Sequence, residues 1–270
     1  MTPGRFQSFE GVADDYDQTR VIPPAQLEQI TRLLSREAHL DRGGLFLDAG
    51  VGTGRFAAPL ARLHPAQVIG VDIAPAMMAR VASKVLQGSL SLAQADLQRL
   101  PFRAGAFSGA LLVHILHLIE QWPLVLRELR RVLLPHGGCL FLGVEQGGRS
   151  ALVDFYYERA RARHALAASL GSPGLAPVLT HLRRVEGAGG AGAQVVLMET
   201  PALSWKRVVP VAATLEALSG RTYSQMWDIP DAVHAALLAE TRHHARRMPR
   251  GLDSVETLSS RFVLYKVRWG

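Results

Sequence analysis

From residue 45 onward the apolar positions fall into short continuous runs separated by stretches of helical spacing. The runs at 45–49, 68–72, 90–95, 108–114 and 138–145 are short, largely apolar and bounded by turn residues, so they read as buried strands. Between and before them, residues 23–40, 54–64, 75–86 and 122–134 carry the three-to-four-residue apolar period of helices packed on a sheet. Pro23 and Pro24 mark the start of the first helix and Gly43-Gly44 follows its end. Pro135-His136-Gly137-Gly138 is a turn into the fifth strand. Strands that alternate with helices in this way predict a doubly wound, Rossmann-like α/β fold, mostly parallel, with a ligand over the C-terminal edge of the sheet.

After Val144 the pattern loosens. Residues 151–170 read as a helix, and the glycine-rich stretch Gly187 to Ala193 as a surface turn before an apolar strand at 194–198, which Leu203 to Val209 extends or resumes. Two helices follow near 211–219 and 231–247, the second preceded by Pro230. Val255 to Trp269 closes the chain, with Phe262 to Val267 as an antiparallel last strand of a seven-stranded sheet. The organisation expected is an N-terminal segment and helix (1–40), a cofactor-binding core (41–150) and a C-terminal part (151–270) that completes the sheet and carries a helical cap near 210–250.

The chemistry starts at Leu45-Phe-Leu-Asp-Ala-Gly-Val-Gly-Thr-Gly-Arg-Phe56, a strand that runs into a glycine loop opening a helix. Gly50, Gly52 and Gly54 tolerate positive φ and let a ligand approach the backbone, which marks a nucleotide-type cofactor site. The dinucleotide fingerprint places a third glycine where this chain has Arg55, which argues against a nicotinamide cofactor. A second strand ends at Asp72 and a third leads to Asp96-Leu97, so three acids stand at three successive strand ends. A carboxylate at the end of the second strand is suited to bind the two hydroxyls of a ribose.

The spacing D-x-G-x-G-x-G from Asp48 to Gly54 resembles motif I of class I methyltransferases that use S-adenosylmethionine, and the resemblance extends over about residues 6–146. It is nearest to the small-molecule branch that includes quinone-biosynthesis methyltransferases. The resemblance implies S-adenosylmethionine as cofactor and S-adenosylhomocysteine as product. It implies that Asp48, Ala49, Gly50, Gly52 and Gly54 surround the methionine half, that Asp72 clamps the ribose with Ile73 against the adenine, and that Asp96 and Leu97 hold the adenine. Val113, at the end of the fourth strand, completes that set. Phe9, Asp14-Asp15-Tyr16-Asp17 and Arg20 resemble the segment that folds over the cofactor, with Tyr16 capping its methionine side and Arg20 pairing with its carboxylate. Relatives often carry an acid where this chain has Ser108.

The fourth strand ends Leu112-Val-His-Ile-Leu-His117, which places His114 where acceptor chemistry takes place in this fold. A histidine there suits the role of base toward a hydroxyl or enol acceptor, because its ordinary pKa lies near working pH; the other reading is a hydrogen-bonded structural histidine. His117 lies one turn on and shares the site in the first reading. The Asn-Pro-Pro-Tyr type motif of many nucleic-acid and amino-nitrogen methyltransferases is missing. Trp205, Tyr223, Met226 and Trp227 give the cap aromatic and soft apolar surface, with Trp227 the candidate substrate contact. The expectation is methyl transfer to a small, apolar or aromatic O- or C-acceptor by in-line displacement.

Composition changes this picture little. The chain has 270 residues, 48% of them hydrophobic, enough for one large core. No run of eighteen or more apolar residues and no apolar leader is present, so a cytoplasmic protein without a membrane span is expected. Cys139, the one cysteine, reads as a small core residue, and the scattered histidines offer no metal-ligand set. The formal net charge of +7 comes almost wholly from arginine, since lysine occurs only at 84, 206 and 266. The Arg242-His-His-Ala-Arg-Arg247 patch lacks the interleaved aromatics of a nucleic-acid platform, so a nucleic-acid partner is not expected. Two rival readings stand beside the first: an RNA or protein methyltransferase docking through this helix, and a non-catalytic S-adenosylmethionine-binding protein.

Overall fold

A computed structural model describes residues 22–65, 67–84, 90–166, 174–184, 193–200 and 203–269. One eight-stranded sheet organises them. Strands β1 (Phe46–Ala49), β2 (Val68–Asp72), β3 (Leu90–Gln94), β4 (Gly109–Val113) and β5 (Cys139–Gly147) pair in parallel in the order β3-β2-β1-β4-β5. All four residues of β1 are buried, as a central parallel strand requires. The order reverses between β1 and β4, and a ligand crevice belongs at that switch point, beyond the strands' C-terminal ends.

The long strand β8 (Val255–Arg268) runs antiparallel to β5 over Ser260 to Val267. Its other edge is shared by β6 (Gln194–Met198), against Leu264 to Arg268, and β7 (Ser204–Pro210), against Val255 to Arg261. The sixth strand expected from sequence, 194–198 with its continuation at 203–209, is thus two segments on one edge, which accounts for eight strands instead of seven.

Helices cover both faces. On one, α1 (Pro24–Glu37) and α2 (Ala57–Leu63) bring Ile30, Leu34, Leu60 and Ala61 against Phe46 and Phe141. On the other, α4 (Trp122–Val132) and α6 (Leu175–Arg184) pack Val125, Leu129, Val178 and Leu182 on Leu47 and Leu140, while α3 (Pro75–Ala82) follows β2. Cys139 is fully buried and its thiol is pushed up to about 11 by desolvation, which makes it the inert core residue its context suggests.

Three boundaries differ from expectation. Helix α1 ends at Glu37, because His39 at φ 54° and Gly43 at φ 82° enclose a separate short turn. Helix α2 begins only at Ala57, since Gly54 N–H bonds Val51 O at 2.9 Å and holds the preceding residues in the loop. The helix expected over 151–170 becomes α5 (Ala151–Ala162), closed where His164 takes φ 52°, and α6 is an additional helix. The glycine-rich stretch before β6 lies mainly outside the described residues.

Between β7 and β8 the chain inserts α7 (Val211–Ser219) and α8 (Asp231–Arg246), which pack on α5 around Tyr156, Leu218, Met226 and Leu237. The Tyr156 hydroxyl and His234 Nδ1 lie 2.7 Å apart inside this cluster. Burial raises the tyrosine to about 12 and lowers the histidine, so both are neutral at pH 7 and bond without a buried charge.

The junction of β4, β5 and β8 has no spare volume. A Cβ on Gly143 would stand 2.4 Å from Phe262 Cζ and 3.0 Å from Val113 Cγ2. Gly143→Ala is therefore expected to lower unfolding stability by about 1–3 kcal/mol, read as a lower urea midpoint at an unchanged slope.

Candidate active site

The loop after β1 is held by the strand beside it. Gly50 N–H and Val51 N–H both donate to Val71 O at 2.8 Å. Gly50, Gly52 and Gly54 have φ of 80°, 52° and 80°, so the turn uses the left-handed region at every second residue. At Gly50 a side chain is excluded twice, by φ and because its Cβ would lie 2.5 Å from Ile115 Cγ1 on the other wall of the crevice.

Asp72 organises the other side. Its Oδ2 accepts Gly52 N–H at 2.8 Å and its Oδ1 accepts Ala74 N–H at 3.0 Å, so the strand-end carboxylate ties the glycine loop to the start of α3. Asp72, Gly50, Gly52, Ile73, Asp96 and Leu97 line a narrow cleft of about 80 Å³, together with Val113. Asp96 is exposed there; its carboxylate is oriented by Gln98, whose backbone N–H reaches Oδ1 at 2.9 Å. These groups fit a nucleoside: hydroxyl acceptors at Asp72, an acceptor at Asp96 and apolar faces at Ile73 and Leu97 for a base.

Other expected cofactor residues stand elsewhere. Asp48 and Ala49 are buried behind the loop and line no part of the cleft. Asp48 accepts the Ala57 N–H at the start of α2, and desolvation raises its pKa to about 7. Gly54 is likewise behind the loop, packed against Val81. Their contribution is to shape the turn. Tyr16 and Arg20 lie outside the described residues.

A second cavity, of about 870 Å³, opens beside the cleft. His114 and Ile115 line both. His114 sits at φ 52°, a left-handed conformation uncommon for a residue with a side chain, which brings its ring to the meeting point. Nε2 accepts the Glu145 backbone N–H at 3.0 Å, so in the neutral ring the proton is on Nδ1. This bears on the general-base expectation, because protonating Nε2 sets two donors against each other. Glu145 Oε2 lies 3.8 Å from the same nitrogen and 3.0 Å from Arg55 Nη1, and all three side chains are only 14% exposed. Arg55, standing where a dinucleotide fingerprint has glycine, is the partner of Glu145 and stacks over Phe56 at 4.9 Å.

His117 lines the large cavity, as do Tyr157 from α5 and Tyr223 from the cap. Trp227 does not line it; its Nε1–H donates to Arg221 O at 2.8 Å, which makes it a brace of the cap turn. Met226 and Trp205 are core residues. Ser108, where relatives often have an acid, donates its hydroxyl to Leu45 O at 3.1 Å inside the sheet. Sequence reasoning missed Glu145 and Arg207, which also lines the cavity. The polar tail Glu145-Gln-Gly-Gly after an apolar strand was the available signal for the first.

The family model described as "Methyltransferase domain" matches residues 47–141, the stretch from β1 into β5 that builds the cleft and His114. Residues 47–141 are a methyltransferase domain. It is of the class I, S-adenosylmethionine-dependent kind that the glycine loop and strand-end acids resemble. The methyltransferase domain is the part shared with curated relatives. The chain is 34% identical over 140 residues to a malonyl-[acyl-carrier protein] O-methyltransferase of Legionella pneumophila, covering 50% of this chain and 48% of the relative. It is 28% identical over 160 residues to a ubiquinone/menaquinone biosynthesis C-methyltransferase of Desulfotalea psychrophila, covering 57% and 65%. The matches thus span about half to two thirds of those relatives' lengths. A solved structure described as a putative type II methyltransferase from Anaeromyxobacter dehalogenans shares the fold at a TM-score of 0.58 and 19% identity, over 92% of this chain and 98% of that one. Among the described residues no helix is long and apolar enough to cross a membrane, and no group of histidine, cysteine and acidic residues could hold a metal ion.

Proposed function

We propose that this chain transfers a methyl group from S-adenosylmethionine to oxygen or carbon of a small acceptor held in the large cavity. The observation that carries the reading is that His114 and Ile115 line both the narrow cleft beside the glycine loop and the large cavity, so contents of one would abut contents of the other. When bound, S-adenosylmethionine supplies a methyl group already activated by its sulfonium. Asp72 would hold the ribose hydroxyls, Gly50 and Gly52 give the backbone room, and Ile73, Asp96 and Leu97 receive the base. Val113 and Ile115 form the apolar wall at the boundary.

What remains for the protein is alignment and exclusion of water. Fixing an acceptor at attack distance supplies several kcal/mol, on the order of 7–11 in favourable cases. Helices α5, α6 and α7 together with β7 and β8 line the space in which the acceptor would sit. The two curated relatives are named for O-methylation of malonyl-[acyl-carrier protein] and for C-methylation in ubiquinone/menaquinone biosynthesis, which is why both acceptor atoms stand in the proposal.

The test is calorimetric titration of the protein with S-adenosylmethionine and S-adenosylhomocysteine, with NAD as control, followed by a panel of phenols, quinones and carboxylates assayed for S-adenosylhomocysteine. Binding of both sulfur compounds but not NAD, and turnover with part of the panel, is the expected result; binding of neither sulfur compound would end the proposal. His114 is assigned a positioning role between the two spaces. His114→Asn tolerates positive φ, and its shorter side chain withdraws the acceptor that Nε2 offers Glu145 N–H. It is expected to leave cofactor affinity within about twofold while lowering kcat about tenfold or more. An unchanged kcat would remove His114 from the site.

A further inference from the structure

The charges around the large cavity do not balance. Its acidic lining residues are Glu145 and Asp154, and each has its own arginine: Arg55 at 3.0 Å from Glu145, and Arg149 at 3.1 Å from Asp154. Arg207 also lines the cavity, and among the described residues no carboxylate lies within the 4.0 Å of an ion pair. Among the described residues its one protein bond is a long one, Nη2–H to Gly148 O at 3.4 Å, and its Nε is buried without a partner there.

Arg207 is half-buried at the cavity wall. The register pairs it with Leu258 across β7 and β8, and Val209 follows on the same face, so its charge stands among apolar side chains that line the same space. Glu256, opposite Val209 on that face, is committed elsewhere: its carboxylate takes the Ser150 hydroxyl and, at 2.8 Å, the Ala151 N–H at the start of α5. A half-buried guanidinium on a cavity wall, with no acid beside it among the described residues, is suited to pair with an anion that enters the cavity.

We infer that the methyl acceptor carries a carboxylate, separate from the atom that is methylated, and that Arg207 binds it and sets the specificity for it. One guanidinium pairs with two carboxylate oxygens in a fork and neutralises one charge. A phosphate dianion would leave one charge uncompensated in the same space. The apolar part of a mixed lining, Val153, Val178, Val209 and Leu258, with Tyr157 and Tyr223, receives the body of the acceptor. The inference rests on the proposed function, since it names the acceptor class of that site.

The test uses three probes with one flat apolar body: 2-naphthoate, 2-naphthamide and 2-naphthyl phosphate. Each is titrated calorimetrically into the full chain saturated with S-adenosylhomocysteine. Naphthoate is expected to bind about ten- to a hundredfold tighter than the amide. Arg207→Gln should bring the two to within about twofold, and Arg207→Lys should keep part of the gap, since it retains charge without the fork. S-adenosylhomocysteine affinity is the control for folding, expected unchanged in both variants; should the glutamine variant not fold, the lysine variant carries the test through its partial loss.

Equal binding of acid and amide, a preference that survives Arg207→Gln, binding of none of the probes, or a phosphate ester that matches or exceeds the carboxylate would each overturn the assignment. Failure of the wild-type chain to bind S-adenosylhomocysteine would instead bring down the methyltransferase reading beneath it, so the two failures are distinguishable.

Discussion

Replacing Asp72 with alanine is expected to weaken S-adenosylmethionine binding by about a hundredfold, the largest single loss of affinity in the cleft. The side chain works in two directions. It accepts Gly52 N–H at 2.8 Å and Ala74 N–H at 3.0 Å, and so fixes the glycine loop and the entrance to α3 relative to each other. Asp72 also lines the cleft, where its remaining lone pairs would accept from the ribose hydroxyls in the proposed function. Alanine removes the hydroxyl acceptors and frees two backbone donors whose orientation shapes the site, so charge-assisted bonds worth roughly 1.5–3 kcal/mol each are lost together. Calorimetry checks the number directly. Asp72→Asn should lie between the two, because one oxygen is kept and the other position becomes a donor facing a donor. A loss smaller than about threefold for the alanine variant would mean that the ribose is held elsewhere.

Asp48→Asn should change the pH dependence of stability rather than ligand binding. Desolvation raises the folded-state pKa of Asp48 to about 7 from 3.8, with the Ala57 N–H and the Arg55 charge opposing the shift and the Asp72 charge adding to it. The folded state therefore holds a proton that the unfolded state has lost across that interval. By linkage its contribution to stability is fully present below about pH 4 and is lost as pH rises toward and through about 7, in total on the order of 4 kcal/mol. Asparagine keeps an acceptor for Ala57 N–H and cannot ionise. The variant should match the wild type near pH 4 and exceed it near pH 8. Urea unfolding at both pH values measures the difference, and comparing the two proteins cancels Glu37 and Glu128, whose depressed pKa values act in the opposite sense at lower pH. A difference independent of pH would show that Asp48 is ionised in the fold.

The parallel half of the sheet was legible because a buried strand has to be a short apolar run, and 45–49, 68–72 and 108–114 contain little else. Asp72, Asp96 and the glycines were legible for the same reason: strand ends locate them, and strand ends are easy to see. Asp48 shows the limit of that logic. It sits in the motif, yet its carboxylate turns behind the loop to α2, and a one-dimensional spacing does not say which side of the backbone a side chain takes. Helix α6 was hidden although Leu175, Val178, Leu179 and Leu182 have helical spacing, because Pro173, Gly174 and Pro177 crowd its start. Proline in the first turn costs a helix little. Trp227 failed as a cavity residue because aromatic character does not reveal that an indole N–H already has a backbone carbonyl. Arg207 could not be found from local pattern, and the polar tail after the fifth strand marks Glu145 without giving its role. Their meaning depends on which charges stand opposite them, and Arg55 is ninety positions from Glu145.

The placement of β8 bears on how the molecule assembles. This strand bridges β5 on one side to β6 and β7 on the other, and it follows all of them in the chain. During synthesis the five parallel strands and their helices emerge first, leaving the β5 edge bare and the cap helices with only one of the two strands that flank them. A ribosome that has not yet passed Val255 carries a half-sheet with an open edge and no finished cavity, the state most exposed to wrong pairing. The same strand that covers the β5 edge also brings Leu258 and Ser260 to the wall of the large cavity, so edge and cavity are completed by one element.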